Sequence, residues 1–148
     1  HDEVFDLDRH KIAAICDAAT DQSGKLNMLG VFDYIEAELP IVIPHCSIVF
    51  RIRYTRSEAT SHDLKVTIQN QFDDSKLIPP ILTSVNFLPV PKNMDSAAVN
   101  LILNINRMHV TKDGKYLMRL RIDEVLLETA LPIYITDLTP KEPNPLAS

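Results

Sequence analysis

Apolar and polar residues alternate along several segments of this chain, and this alternation predicts β-strands. In segment 47–55 one face carries Ile48, Phe50, Ile52 and Tyr54. The other face carries Ser47, Val49, Arg51 and Arg53. Segments 63–72 and 116–122 alternate in the same way. Because successive side chains of a strand point to opposite faces, we expect each of these strands to bury one face.

The remaining apolar runs predict further strands at 11–19, 26–37, 81–90, 98–108, 125–129 and 131–138. Segment 11–19, KIAAICDAA, is apolar on both faces, as is typical of a central strand. The polar turn around Gly24 joins it to 26–37, so these two strands are predicted to form a hairpin. Gly30 is expected to mark a bulge or a close backbone approach in the returning strand.

Glycine and proline set the expected connections between these strands. The Asp-Gly dipeptide at 113–114 predicts a hairpin between the strands on either side of it, because a type I′ turn needs positive φ at both central positions. Pro40 and Pro44 lack the backbone donor that a central strand requires. Segment 38–45 is therefore expected to be a loop or an edge strand.

About eight or nine short strands joined by polar turns predict an all-β fold. The expected architecture is an antiparallel β-sandwich, immunoglobulin-like or similar, and a β-barrel is the alternative. The chain has 148 residues, which suits a single domain. We expect an acidic, loosely ordered segment at 1–9, the sandwich domain at 10–138 and a proline-rich tail at 139–148.

The net charge of the chain argues against a nucleic-acid partner. It is -5 in total, and four acids lie in the first eight residues, so the remainder carries -5 + 4 = -1. Proteins that make many phosphate contacts usually show a basic excess. No apolar run approaches the ~20 residues needed to cross a membrane, so no membrane partner is predicted.

Cys16 and Cys46 are the only cysteines. They leave two interpretations open, a single disulfide or two reduced and buried thiols, and the second is favoured together with a cytoplasmic location. Cys16 beside Asp17 resembles an activated nucleophile, but no histidine or cation is close along the strand. The spacing of His10, Cys16, His45 and Cys46 does not match a zinc site. We predict no catalytic residue, no metal and no cofactor.

The absence of catalytic motifs favours a binding protein over an enzyme. Only three glycines occur, and no phosphate-binding loop or hydrolase motif is present. The sequence therefore favours a non-enzymatic binding or protein-interaction module. The alternatives are a structural subunit of a larger bacterial or phage-like assembly and, less favoured, an enzyme with a dispersed site.

Four arginines form the candidate binding site, namely Arg51, Arg53, Arg119 and Arg121. Each pair is spaced i, i+2, so both of its side chains project from one face of a strand. If the two strands share a sheet, the four make a basic patch for an anionic small ligand or an acidic protein partner. The alternative is a solvated face on which acids such as Asp33 or Glu36 neutralise them.

The segment LIPPILTSVNFLPVP is apolar for a connection. It holds Leu77, Ile78, Ile81 and Leu82. Exposed, these residues would form a contact surface and support a homodimer through this segment or through an edge strand. Buried, they would close one end of the sandwich.

The stretches KIAAICDAATDQSGKLNMLGVFDYI, NLILNI and DGKYLMRLRID resemble a family of small bacterial proteins of unknown function. In that family the first hairpin reads like CDAA…GKLNILGAFD and the later part like NLVL…GxYxFxLxVDG. The resemblance covers about 11 to 136 and implies a cytoplasmic bacterial β-sandwich. It implies no activity, cofactor or catalytic residue. The chain departs from the family pattern at 123–124, where Asp-Glu replaces an Asp-Gly turn.

Overall fold

The computed structural model describes residues 11–141, and within them all side chains except those of 11 and 125–130. The strands are β1 Lys11–Gln22, β2 Lys25–Phe32, β3 Tyr34–Ala37, β4 Ile41–Thr55, β5 Ser61–Asn70, β6 Ile81–Asn86, β7 Ser96–Val110, β8 Gly114–Ile122 and β9 Val125–Asp137. The only helical segment in this described part is a 3₁₀ turn, Arg56–Glu58. The described residues therefore contain no helix that is long and apolar enough to span a membrane.

The strands form two packed sheets, which confirms the predicted all-β sandwich. Sheet A has the order β2-β1-β4-β7, and sheet B has the order β3-β9-β8-β5-β6. All neighbouring strands are antiparallel except β3 and β9, which run parallel. This parallel pair at the edge of sheet B departs from the purely antiparallel sandwich that the sequence predicts.

Alternate residues of the central strands supply the core. The inward row of β4 is almost completely buried, and it consists of Ile48, Phe50, Ile52 and Tyr54. Sheet B contributes the buried rows Leu64, Val66 and Ile68 from β5 and Tyr116, Met118, Leu120 and Ile122 from β8. Burying each large apolar side chain contributes about 1.5–3 kcal/mol, so these rows dominate the packing energy. The faces predicted from alternation are confirmed.

Two expected connections are wrong because strand pairing is not a local property. The segment predicted as one strand, 26–37, breaks at Asp33, and its two halves join different sheets. The main-chain carbonyl of Asp33 accepts a 2.8 Å hydrogen bond from the amide of Tyr134, which draws β3 onto β9. The Asp-Gly turn at 113–114 does not make a hairpin either. Gly114 has a φ of +136°, whereas Asp113 is outside the positive-φ region that a type I′ turn requires.

The proline-containing segment 38–45 supplies the first part of β4. It lies at an edge, as one of the two expectations stated, because within the described residues Ile41 to Cys46 pair with β7 alone. Pro44 is skipped in that ladder, opposite Arg107, whose φ is +62°. The missing donor of Pro44 therefore costs no ladder hydrogen bond.

The β1-β2 hairpin folds back over the outer face of sheet A. Ser23 and Gly24 both have positive φ and make its tight turn, as predicted for Gly24. Although Cys16 is level with Ser47 of β4, the tip reaches further along the strand to Arg51. The Arg51 Nη1 and the Asn100 Nδ2 each donate a 3.2 Å hydrogen bond to the carbonyl of Gly24. We call residues 17–30 the folded hairpin.

The folded hairpin explains why the outer face of sheet A is partly buried. Ala14, Cys16, Ser47 and Val49 are all buried, yet they lie on the face opposite the main core. A solvated outer face would expose them. The hairpin therefore forms a partial third layer, and Cys16 is buried beneath it rather than in the core between the sheets.

Gly30 is the point at which this layer depends on glycine. Its φ is +68°, and a Cβ placed there would lie 2.2 Å from the Asp17 Oδ2. Gly24 has a similar φ of +82°, but a Cβ there would meet nothing within 4 Å. A side chain at Gly24 would therefore cause backbone strain alone, whereas one at Gly30 would cause backbone strain and a steric clash.

We expect Gly30→Ala to destabilise the domain more than Gly24→Ala. Left-handed strain costs about 1–2 kcal/mol at either position, and Gly30→Ala adds the displacement of Asp17. Urea unfolding followed by circular dichroism measures both free energies. Equal losses in the two variants would show that the contact between Asp17 and Gly30 is unimportant.

Candidate functional site

The four predicted arginines do not form a single patch. Arg51 and Arg53 lie on β4 in sheet A, whereas Arg119 and Arg121 lie on β8 in sheet B. Each pair projects from the outer face of its own sheet. Because the outer faces of two packed sheets point in opposite directions, the condition that both strands share a sheet is not met.

The sheet A pair is engaged within the fold. Besides its bond to Gly24, the Arg51 Nη1 donates a 2.6 Å hydrogen bond to the Asn100 Oδ1. The Arg53 Nη1 donates a 3.0 Å hydrogen bond to the Ser96 Oγ. Both partners lie on β7, which neighbours β4, and neither is an acid. These arginines hold the folded hairpin and the β4-β7 ladder together.

The sheet B pair lines a groove on the outer face between β5 and β8. The register places Lys65 directly opposite Arg121 and Thr67 directly opposite Arg119. With Gln69, these four side chains line a cavity of about 300 Å³. We call these five residues the basic groove.

The basic groove concentrates positive charge, and no described side chain forms an ion pair with its cations. Like charges directly opposite each other on neighbouring strands destabilise a sheet. Within the described residues, the ion pairs are His62–Asp123 and Lys112–Asp73, and neither includes a cation of the groove. Two acids flank the groove: Asp63 precedes Lys65 by two positions, and Asp74 accepts a 3.4 Å hydrogen bond from the Gln69 Nε2.

Apolar side chains border the same groove. Leu82 of β6 lies opposite Lys65 and is 73% exposed. Leu117 and Pro132 form the next outward pair on β8 and β9, and both are half-buried. A cationic centre with apolar neighbours is the composition of a protein-binding surface more than of a site for a small inorganic ion.

Sequence reasoning identified Arg119 and Arg121 but missed Lys65, Thr67 and Gln69. These three residues form the outward row of the alternating segment 63–72, so their exposure was predictable. Their position beside β8 was not, because sequence patterns do not specify which strands pair.

The two cysteines are free, and both are buried. Cys46 lies in the core between the sheets, whereas Cys16 lies on the other face of sheet A beneath the folded hairpin. Burial raises the pKa of Cys46 to about 11. Burial is also the main cause that raises the pKa of Cys16, and the nearby carboxylate of Asp17 acts in the same direction. Neither thiol is arranged as a nucleophile.

The histidines that were considered with the cysteines as metal ligands, His10 and His45, do not form a described site with them. The Nδ1 of His45 lies 3.2 Å from the Asn106 Oδ1, and Cys46 points away into the core. His10 lies outside the described residues. Within the described range, no three of the histidine, cysteine, aspartate and glutamate side chains are grouped as metal ligands.

His62 is the buried titratable group with the most defined surroundings. Its Nδ1 lies 2.8 Å from the Asp123 Oδ2, and its Nε2 lies 2.7 Å from the carbonyl oxygen of Glu58. Its ring also packs on Phe87, with a centroid separation of 4.5 Å. Both ring nitrogens face acceptors, so both must donate, and the geometry fits an imidazolium ion.

The interaction between His62 and Asp123 makes the stability of the fold depend on pH. Burial acts to lower the pKa of His62, but hydrogen bonds to Asp123 and to the Glu58 carbonyl outweigh it, so the net pKa is raised. The hydrogen bond from His62 lowers the pKa of Asp123, and the amide of Asp63 adds to this. The His62 contribution to stability is complete below about pH 6.5 and is lost as pH rises through its folded pKa. The Asp123 contribution is present above about pH 3.8 and is lost as pH falls further.

We therefore expect Asp123→Asn to destabilise the domain more at about pH 5.5 than at about pH 9. Asparagine tolerates the Asp123 φ of +52°, so the turn is retained while the charge is removed. Urea unfolding at both pH values measures the difference. In the control Asp137→Asn the loss should be the same at both pH values, because hydrogen bonds from Thr139 and from the amide of Leu39 lower the pKa of Asp137, with no histidine involved. A pH-independent loss in Asp123→Asn would contradict an ionised His62.

The burial of both thiols predicts their reactivity. At pH 8, a rise in pKa from 9.0 to about 11 reduces the thiolate fraction of Cys46 by about 100-fold. We expect slow iodoacetamide labelling in the folded state and rapid labelling of two thiols in urea. Mass spectrometry of the alkylated protein measures both. Rapid labelling of either cysteine in the folded protein would contradict this expectation and would support an enzyme with a cysteine nucleophile.

The family model for DUF6941, described as a family of unknown function, matches residues 11–136. The match extends from the first residue of β1 to the last but one of β9, so it includes both sheets, the folded hairpin and the basic groove. It confirms the resemblance to a family of unknown function over that range. No match was found among curated proteins or among solved structures. The chain belongs to DUF6941.

Proposed function

We propose that this protein is a non-enzymatic binding module that recognises an acidic segment of a protein partner through the basic groove. The observation that carries the proposal is the placement of Lys65 directly opposite Arg121, with Arg119 beside them and no ion-pair partner among the described side chains. A fold gains no stability from such a cluster. An anionic ligand would remove the repulsion and supply the missing charge.

The chemistry of the groove matches carboxylates. Each guanidinium can bind a carboxylate through two parallel hydrogen bonds, and Lys65 provides a compact third charge. The Thr67 hydroxyl and the Gln69 amide add neutral hydrogen-bonding groups. Arg119 and Arg121 are spaced i, i+2, so their side chains are about 7 Å apart along the strand. Two acidic residues of an extended peptide have the same spacing.

The apolar border favours a peptide over a free anion. Leu82 exposes most of its surface next to Lys65, and an inorganic anion would gain nothing from it. A peptide brings apolar side chains together with its carboxylates. The total charge of -5 opposes a long nucleic acid, which gains affinity from many phosphate contacts.

The lining of the groove supports binding without catalysis. It consists of lysine, arginine, threonine and glutamine, none of which is paired there with a general base. The buried thiols support a further part of the proposal, a bacterial protein of the reducing cytoplasm. A structural subunit of a larger assembly would use the same surface, and the partner it captures would distinguish the two roles.

We expect a fluorescein-labelled peptide of alternating glutamate and leucine to bind the protein, and Arg119→Ala/Arg121→Ala to weaken binding by at least about tenfold. Arg53→Gln is the matched control, because it removes a cation from the opposite sheet. Fluorescence anisotropy at two salt concentrations measures affinity, and circular dichroism verifies folding. Higher salt should weaken binding to the wild type.

Two further probes separate the possible ligands. Inorganic triphosphate and a labelled single-stranded oligonucleotide are measured under the same conditions. Stronger binding of either probe than of the peptide would reject an acidic protein segment as the ligand. Equal losses in the double variant and in Arg53→Gln would show that the basic groove is not the binding site.

A further inference from the structure

Four strands are the edge strands of the two sheets, and three of them carry features that hinder pairing with another chain. Exposed strand edges are usually blunted by charge, by proline, by irregular backbone or by shortness. β3 has four residues, including Glu36. β6 has six residues and follows Pro79 and Pro80. β2 begins at Lys25 and is interrupted by the positive φ of Gly30.

β7 is the exception among these edges. It has 15 residues, and within the described part of the chain it pairs with β4 alone. From 96 to 106 its sequence, SAAVNLILNIN, contains no charged residue and no proline. The first charge and the first irregular backbone both occur at Arg107. One side of 96–106 therefore offers a long, regular and uncharged row of backbone donors and acceptors.

The inward side chains of β7 are incompletely covered at this edge. All five pack on the main core; Leu101 is buried, whereas the other four remain partly exposed, namely Ala97, Val99, Leu103 and Ile105. The corresponding inward residues of β4, which has a neighbour on each side, are almost completely buried. Towards the end of the strand, a largely apolar cavity of about 440 Å³ lies between 104–109 and the loop 77–81. An additional strand beside β7 would cover these side chains and border this cavity.

We infer that a second copy of this chain pairs with β7 through its own β7, antiparallel and about a two-fold axis. Pairing a strand with itself places its residues opposite residues of the same segment, so any cluster of like charge would oppose its copy. Segment 96–106 avoids this at every register because it is neutral. A two-fold axis at any residue of this segment keeps inward side chains beside inward side chains. The two four-stranded sheets would then form one continuous sheet.

The apolar connection, for which both an exposed contact surface and a buried end of the sandwich were considered, contains residues of both kinds. Leu77 and Ile78 are buried and close one end of the sandwich, whereas Leu82 is exposed on sheet B. The self-association surface therefore lies on β7, away from the basic groove. This inference rests on different residues from the proposed function, and each can fail without the other.

Sedimentation velocity of the whole chain at about 50 μM tests the pairing. The expected mass is twice the chain mass of 16.7 kDa. Ile102→Lys places a charge in the centre of the edge, on the outer face, and should give the mass of one chain with an unchanged circular dichroism spectrum. Leu82→Lys is the matched control, because it adds the same charge to β6, an edge strand of sheet B. This variant should stay dimeric.

Hydrogen exchange provides a second measurement on the unmodified protein. Dilution to well below the dissociation constant should lower amide protection in 96–106, while β5 and β8 keep theirs. A wild-type mass of one chain at every concentration would overturn the inference. Loss of the dimer to the same extent in Ile102→Lys and in Leu82→Lys would also overturn it.

Discussion

The attachment of the folded hairpin to the outer face of sheet A determines how the rest of the molecule can be used. Arg51 and Asn100 hold its tip. The pairing of β1 with β2 skips Asp17 and Gly30, and this interruption allows the hairpin to turn back. In consequence a face that would normally be wet becomes a covered layer with Cys16 beneath it. The outer face of sheet B carries the basic groove, on which the proposed function rests.

Both halves of the sandwich illustrate how the same residue type takes different roles according to its neighbours. The arginines of β4 face asparagine, serine and a main-chain carbonyl, and they donate hydrogen bonds to these groups within the fold. The arginines of β8 face Lys65 and Thr67, which offer them no compensating charge. Arginines whose N–H groups are hydrogen-bonded within the fold contribute to its structure, whereas the proposed function uses the pair that no described side chain engages in an ion pair.

The sequence predicted the features that depend on alternation and local turns. The row of Ile48, Phe50 and Ile52 was expected on one face of a strand and is buried in the core. The turn at Gly24 was also predicted correctly. Sheet membership was not predictable, because it depends on contacts between distant segments. That is why 26–37 was expected as one strand, why 113–114 was expected as a hairpin, and why the arginines were expected to meet. Three of the five residues of the basic groove were missed for the same reason, since Lys65 becomes notable only when β8 lies beside it.

Self-pairing through β7 would change what the basic groove can achieve. The groove lies on sheet B and β7 lies on sheet A, so a two-fold dimer would leave both copies of the groove open. A partner with two acidic segments could then bind both grooves, and the second contact would form at a high effective concentration. Weak binding of a short peptide to one groove is therefore compatible with strong capture of a partner that carries two such segments. Two grooves related by symmetry would raise the affinity for such a partner without any new contact in either groove.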